Sequence, residues 1–233
     1  KAVTGQSRWG CKNDQKHGYR ARVVRSNFDW GEHRQPMIPM SDTIIYELHV
    51  RGFTRHASSK VKSKGTFQGI IEKIDYLTDL GINQIHCMPV YEFEECQTYR
   101  NYWGYGEGFY FAPKSAYSSD GDGARGLKDM VKACHKAGIE VVLEMPFCTG
   151  ADKMMMLECL RYYVMEYHID GFRFDLMGVH DLDTMKAVRK ALDQVNPDIM
   201  VYGEGWTGGE SALPAAQQAT KNNIYRLDRV GAF

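Results

Sequence analysis

Several patterns that would narrow the function at once are missing from this sequence of 233 residues. Its 29 lysines and arginines equal its 29 aspartates and glutamates, so no net charge favours nucleic acid or an anionic membrane as a partner. No apolar run reaches the roughly 18 residues of a membrane span, and no signal-peptide pattern is present. We therefore expect a globular protein that binds neither nucleic acid nor membrane; the oligomeric state stays open.

Cysteine is present, but not in a metal-binding pattern. The six cysteines form no CxxC pair and no histidines cluster near them, so we predict no metal and no cofactor. Free thiols favour a reducing compartment, and we predict a cytoplasmic location. Because the chain starts with lysine rather than methionine, a secreted protein whose N-terminus is missing is the alternative. The cysteines are Cys11, Cys87, Cys96, Cys134, Cys148 and Cys159.

Apolar strand-like segments alternate with segments of helical periodicity from residue 42 onward, which is typical of βαβ units and a parallel sheet. Residues 1–41 are polar and irregular and are predicted to be a linker or N-terminal extension, and a long aromatic, glycine-rich loop is expected up to Arg125. Strands are predicted at 42–50, 82–90, 139–147, 171–177, 199–206 and from 223, and helices at 66–81, 126–138, 152–168, 181–196 and 212–222.

Polar residues recur at the C-terminal ends of the predicted strands: His86, Glu144, Asp175 and Glu204. A GxGxxG motif is missing after the first strand, which argues against a doubly wound nucleotide-binding sheet. Functional groups at many strand ends are typical of a (β/α)8 barrel. We therefore predict an α/β fold in which residues 42–233 form a partial barrel of TIM type, with about five to six of the eight units.

The stretch YHIDGFRFDLMG, residues 167–178, places Arg173 and Asp175 two apart within an apolar, aromatic run. Strand alternation puts both on the same face, where an unpaired charge would be costly to bury. The pair is either a structural salt bridge or part of an active site. Spacing alone does not decide between these two interpretations.

Asp175 and Glu204 follow successive strands, so on a barrel both would face the same opening. Two carboxylates close together suit a retaining glycosidase, in which one is an ionised nucleophile and the other a proton donor. We expect Arg173 to keep Asp175 ionised, and Glu204, which has little opposite charge nearby in the sequence, to be the acid. Strand-end carboxylates also bind metals or cap helices, so these readings stay open.

A family resemblance enters with two stretches, DGFRFDLMG at 170–178 and VYGEGWT at 201–207. They resemble the second and third signature regions of the α-amylase superfamily (glycoside hydrolase family thirteen), in its pullulanase and glycogen-debranching branch. The segments at 44–54, 80–93 and 101–119 are similar to the first strand, the second strand and the following loop of that branch. Residues 1–10 and 20–31 are similar to its linker before the barrel.

The resemblance implies a role for each matching residue. Asp175 would be the nucleophile, Arg173 would orient it, and Glu204 would be the general acid/base. Further substrate contacts are expected from Tyr105, which would stack under the sugar, and from Trp206, Trp103, His86 and Glu144. The implied function is retaining hydrolysis of α-1,6 branch linkages in α-glucans such as glycogen, pullulan and branched starch.

The first signature region departs from the family pattern. Where the family has an aspartate and then an asparagine–histidine pair, the stretch VVLEMPFCTG has Glu144, Cys148 and Thr149. Relatives can bind calcium, and Cys148 occupies the position of their asparagine ligand. The insert that follows this strand in the family is missing, and the fourth region, with its histidine–aspartate pair, would lie after Phe233. The alternatives are a catalytically impaired glucan-binding fragment, or an α-1,4-acting amylase or branching enzyme.

Overall fold

The structure is a computed structural model, and it describes residues 2–4, 20–22, 26–96 and 100–233. Cys11 and most of the predicted linker before residue 26 lie outside these described residues. The chain divides into two compact units, Lys1–Val141 and Val142–Phe233. No helix among the described residues combines the length and the apolar character that a membrane crossing requires.

The first unit has parallel strands with helices, together with an antiparallel pair. Strands β3 and β4 pair in parallel, with Glu47 opposite His86. Strands β1 and β2 are antiparallel, as are β5 and β6. The elements are β1 (Ala2–Thr4), β2 (Arg20–Arg22), β3 (Ile45–Leu48), α1 (Val50–Arg55), α2 (Phe67–Ile71), α3 (Ile74–Asp79), β4 (Gln84–Cys87), β5 (Tyr91–Glu92), β6 (Phe109–Pro113) and α4 (Gly123–Lys136).

The helix predicted at 66–81 is two helices. The Thr66 side chain caps α2 by accepting a hydrogen bond from Gly69 N, and the chain turns at Glu72 and Lys73 before α3 begins. Gly81 ends the segment with a φ of +82°, the left-handed conformation that glycine adopts readily after a helix. The apolar spacing therefore predicts helical structure in this segment, but it does not reveal the break between α2 and α3.

The loop predicted up to Arg125 contains a short hairpin that the sequence pattern missed. Its strands β5 and β6 are joined by the aromatic segment between them, and α4 starts three residues earlier than predicted because Asp122 caps it. Strands as short as two residues give too little alternation to be recognised.

The described part of the predicted linker packs on the first unit. His33 Nε2 lies 2.5 Å from His135 Nδ1 on α4, and Ile38 N donates to Glu140 Oε1 at 2.8 Å. Residues 26–41 are therefore tied to a helix and a strand of that unit. The domain boundary predicted between residues 41 and 42 falls within the unit and stays a prediction.

The second unit has a parallel sheet in the order β7-β8-β9-β10, in which β7 begins with the last two residues of the first unit. Helices α5 and α6 pack on each other, and Asp152 and Asp181 cap their N-termini. The elements are β7 (Glu140–Met145), α5 (Lys153–Tyr167), β8 (Gly171–Phe174), α6 (Leu182–Asp193), β9 (Met200–Gly203) and β10 (Gly231–Ala232).

Two predictions near the C-terminus are wrong. The segment 212–222 is not an α-helix but has one 3₁₀ turn at Ala215–Gln217, and 223–228 holds a 3₁₀ turn at Ile224–Arg226 instead of a strand. Within 212–222 only Ala219 is buried. A segment without an apolar face has no packing to hold a helix of this length.

The cysteines differ in their state. Cys87, Cys134 and Cys159 are buried free thiols, and Cys148 is a half-buried one. Cys96 is disulfide-bonded, which corrects the expectation of free thiols at this position.

Candidate active site

The second unit brings together four of the predicted site residues, and the register of its sheet explains how. Glu144 on β7 is the direct parallel partner of Arg173 on β8. On the other side of β8, Phe174 is the partner of Gly203, the last residue of β9, so Glu204 follows at the same end of the sheet. The strand register thus brings Glu144, 29 residues before Arg173, and Glu204, 31 residues after it, to the same guanidinium.

Arg173 contacts three carboxylates. Its Nη1 atom donates to Glu144 Oε1 and, at 3.2 Å, to Asp175 Oδ1, while its Nη2 atom donates to Glu204 Oε1 at 2.5 Å. Glu144 is fully buried, whereas the side chains of Asp175 and Glu204 keep 19% and 17% exposure. Three carboxylates on one arginine leave this cluster with excess negative charge when all are ionised.

The chain turns sharply after Asp175. Strand β8 ends at Phe174, and Leu176 has a φ of +45°, a left-handed conformation that is costly for a leucine. The turned amide of Leu176 donates to Glu204 Oε2 at 3.0 Å. The strand predicted at 171–177 is therefore shorter, and Asp175 lies at its end rather than within it.

The charges around Asp175 differ from the expected arrangement. Burial, and then the neighbouring carboxylates of Glu204 and Glu144, raise the pKa of Asp175 to about 6, and Arg173 offsets only part of this effect. Glu204 has the shorter contact with Arg173, which corrects the expectation that it has little opposite charge nearby. Sequence spacing identified the pair Arg173–Asp175 but not how the guanidinium is shared.

Aromatic rings border this cluster. The Arg173 guanidinium carbon lies 5.6 Å from the ring centroid of Phe233, and the Trp206 ring is edge-on to Phe233 at 5.7 Å. Phe233 N donates to Gly203 O and Phe233 O accepts from Gly205 N, both at 3.3 Å, on either side of Glu204. Sequence reasoning selected Trp206 but missed Phe233, for which no motif gave a signal.

The remaining predicted substrate residues belong to the first unit. Trp103 is 58% exposed and lies edge-on to Tyr105 at 5.9 Å. The loop that carries them is fixed by Asn101, whose side chain bonds Tyr105 O and Gly104 N, and by buried Tyr91, whose hydroxyl donates to Gly104 O. The two rings are thus presented by a well-anchored turn.

His86 lies on β4 of the same unit. It is buried, with Nδ1 3.8 Å from Glu47 Oε2 on the neighbouring strand β3. Its imidazole therefore lies beside a carboxylate within the sheet. Its predicted sugar contact stays a prediction.

His180, which follows the 3₁₀ turn after β8, is a second buried titratable group near this strand end. Its ring bonds the backbone of Phe147 and lies against Phe174, while no described residue is within hydrogen-bond distance of Nε2. Burial lowers the pKa of His180 to about 4. At neutral pH the imidazole is therefore uncharged in the folded chain.

A calcium site does not fit the residues around Cys148. Ca²⁺ prefers hard oxygen ligands, whereas position 148 supplies a thiol. Across residues 26–96 and 100–233, no three or more histidine, cysteine, aspartate or glutamate side chains are grouped so as to hold a metal ion. These residues therefore do not fit calcium, and the expectation of no cofactor stays a prediction.

Comparisons with known proteins agree with the motifs. The model of the α-amylase catalytic domain matches residues 50–149. Isoamylase 1 of rice, a chloroplastic protein, is 34% identical over 209 residues, covering 66% of this chain and 26% of its own length. A glycogen operon protein GlgX homologue of Mycobacterium bovis is 30% identical over 258 residues, covering 83% of this chain and 36% of its own length.

Among solved structures, a pullulanase from Anoxybacillus sp. LM18-11 in complex with maltotetraose covers 100% of this chain and 41% of its own, with a TM-score of 0.82 and 27% identity. This chain belongs to the α-amylase superfamily. The likeness confirms the predicted fold class, a partial (β/α)8 barrel. The chain spans about a quarter to two fifths of the length of these relatives.

Proposed function

We propose that this chain carries the catalytic carboxylates of a glycoside hydrolase that cleaves α-1,6 branch linkages in α-glucans such as glycogen, pullulan and branched starch. The observation that carries the proposal is that one guanidinium contacts both Asp175 and Glu204. This shared contact keeps the two carboxylates close together, as a retaining glycosidase requires for its pair at roughly 5–5.5 Å.

The proposed reaction has two displacements. Asp175 attacks the anomeric carbon while Glu204 donates a proton to the leaving glycosidic oxygen, which gives a glycosyl ester on Asp175. Glu204 then removes a proton from water, which attacks the anomeric carbon and releases Asp175. A nucleophile whose pKa is about 6 is mostly ionised at neutral pH, so Asp175 is in the required state there.

The α-glucan substrate is supported by the family and by a structural relative. The Anoxybacillus pullulanase was crystallised with maltotetraose, and the other relatives are an isoamylase and a protein of a glycogen operon. Exposed Trp103 and Trp206 offer apolar faces on which a sugar ring can stack. Branch linkages rather than α-1,4 linkages are proposed because the motif spellings and the relatives belong to the debranching branch.

The second candidate is a glucan-binding chain with impaired turnover. It is favoured by the first signature region, where Cys148 is half-buried and Thr149 is exposed in place of an asparagine and a histidine. Without those donors, the sugar at the reacting centre loses hydrogen bonds that would strengthen in the transition state.

One experiment separates the two candidates. The chain is incubated with pullulan and with glycogen, new reducing ends are measured, and Asp175→Asn and Glu204→Gln are measured in parallel. Turnover that both substitutions abolish supports the hydrolase. Retention on a glucan affinity gel without turnover supports the binding candidate, and neither retention nor turnover contradicts both.

We propose a cytoplasmic location from the state of the cysteines. Four cysteines among the described residues are free, which favours a reducing compartment, whereas Cys96 is disulfide-bonded. The rice relative is named as chloroplastic. Fractionation of the source cells with an antibody against the chain tests the location.

A further inference from the structure

The three carboxylates around Arg173 do not share it equally. Glu204 accepts hydrogen bonds from Nη2 of Arg173 and from the amide of Leu176. Glu144 and Asp175 both accept their hydrogen bond from Nη1 of Arg173. The Asp175 contact is 3.2 Å, at the long end of the range for such a hydrogen bond. Asp175 therefore shares one guanidinium nitrogen with Glu144 and is bonded to it only loosely.

Glu144 occupies a place from which it can act only through its neighbours. Its side chain has no exposure, and it lies one residue before the end of β7, a strand whose residues are all buried. The sheet register fixes it directly opposite Arg173, so its carboxylate cannot move far from the guanidinium. A fully buried carboxylate is kept where it is paired, and here the pair includes the residue that orients Asp175.

We propose that Glu144 is a positioning residue that competes with Asp175 for Nη1 of Arg173 and so limits the charge that the arginine delivers to Asp175. The proposal rests on the proposed function, in which Asp175 is the nucleophile. In this proposal Glu144 acts by binding Arg173 and does not contact the sugar.

The competition has an electrostatic consequence. The groups that act on Asp175 are the carboxylates of Glu204 and Glu144, which disfavour its ionisation, and Arg173, which favours it. Glu144→Gln keeps the shape of the side chain and an acceptor oxygen but removes the negative charge. Nη1 then interacts more strongly with Asp175, and one repulsive charge is lost, so both changes favour the ionised form of Asp175.

The experiment is a carbon-13 NMR titration of the full chain labelled at the aspartate carboxyl carbons. The Asp175 resonance is assigned by its loss in Asp175→Asn. We expect Glu144→Gln to lower the titration midpoint of Asp175 by about one pH unit. Glu144→Asp keeps the charge but shortens the reach to Nη1, and we expect a smaller decrease. Where turnover is measurable, the acidic limb of the kcat/KM profile moves in the same direction.

The control is Glu210→Gln, which removes a negative charge at an exposed position of the same unit and should leave the midpoint unchanged. A midpoint that stays the same or rises in a folded Glu144→Gln chain overturns the proposal, even if activity falls. If Glu144→Gln lacks a native circular dichroism spectrum, the same outcomes are applied to Glu144→Asp. Because the titration needs no turnover, failure of the proposed hydrolase would be seen separately.

Discussion

Each unit buries an ionic network, and the two networks differ in charge balance. In the first unit, two cations meet two anions: Lys114 Nζ lies 3.0 Å from Glu92 and 3.5 Å from Glu95, and Arg51 lies 2.5 Å from Glu95. In the second unit, one cation, Arg173, meets three anions. Burial without balance is costly, so structure alone does not explain the second network.

The two networks also differ in how deeply their charged groups are buried. Lys114 has no exposure, donates also to Phe93 O and lies 3.9 Å from the Phe93 ring centroid, so the cation at the centre of the first network is fully buried. In the second network, Asp175 and Glu204 keep part of their surface open to solvent. A network with balanced charges around a buried lysine fits a role in holding a hairpin, and one with excess negative charge fits a role in chemistry.

The largest expected effect comes from breaking the balance of the first network. Lys114→Met leaves Glu92 buried without its lysine, and we expect the free energy of unfolding to fall by about 3–5 kcal/mol. Urea denaturation followed by circular dichroism measures this loss. Lys136→Met, at an exposed lysine of α4, is the control. Equal losses in the two variants would show that the Lys114 network is not structural.

Removal of the single cation of the second network should cost less at neutral pH. We expect Arg173→Met to lose about 2–4 kcal/mol, because Glu144 is fully buried while the other two carboxylates reach solvent. The loss should shrink toward pH 5, since protonation of Asp175, whose pKa is about 6, removes one of the uncompensated charges. Arg125→Met, which breaks an exposed ion pair with Asp129, should change little at any pH. A pH-independent loss for Arg173→Met would contradict the charge imbalance.

The buried His180 should make the stability of the second unit depend on pH in the acid range. Its folded pKa of about 4 is below its ordinary value of 6.5, so its contribution to stability is complete above pH 6.5 and is lost as the pH falls toward 4. We expect this loss to reach about 2–3 kcal/mol at pH 4. Thermal unfolding of His180→Gln against pH measures it. A slope equal to that of the wild type between pH 4 and 6.5 would rule out this role.

The smallest effect is a gain. The pKa of Asp175 is raised to about 6 from 3.8, so its ionised form costs stability above pH 6, and the cost disappears as the pH falls toward 4. We expect Asp175→Asn to raise Tm by roughly 2–4 °C at pH 7, as about 1 kcal/mol does in a chain of this length. Below pH 4 the two chains should melt alike. A lower Tm for the variant at pH 7 would be the opposite of this expectation, and exposed Asp198→Asn serves as the control.

Much of the fold could be predicted because its signals are local. Helices α4, α5 and α6 follow from apolar periodicity, and an aspartate caps each one. The break between α2 and α3 and the β5–β6 hairpin could not be predicted in this way. The hairpin depends on pairing between segments distant in sequence, such as Tyr91 with Pro113, which periodicity does not encode. The break leaves the apolar spacing of 66–81 unchanged, so the spacing gives no sign of it.

The sequence predicts which residues belong to the candidate site better than it predicts the contacts between them. Residue types and the family motifs identified Arg173, Asp175 and Glu204. The pairing of Glu144 with Arg173 needs the register of β7 against β8, and a shift by one residue would have separated them. Phe233 entered the site through backbone pairing with the glycines beside Glu204, for which the sequence offers no pattern.

The amide of Leu176 is a mechanical link as well as a hydrogen-bond donor. It belongs to the same peptide unit as the carbonyl of Asp175, and that unit is rigid and planar. Because the amide is bonded to Glu204 Oε2, the carboxylate that follows β9 is tied to the backbone at the end of β8. The two carboxylates are therefore linked twice, through the Arg173 side chain and through the main chain of Asp175 and Leu176.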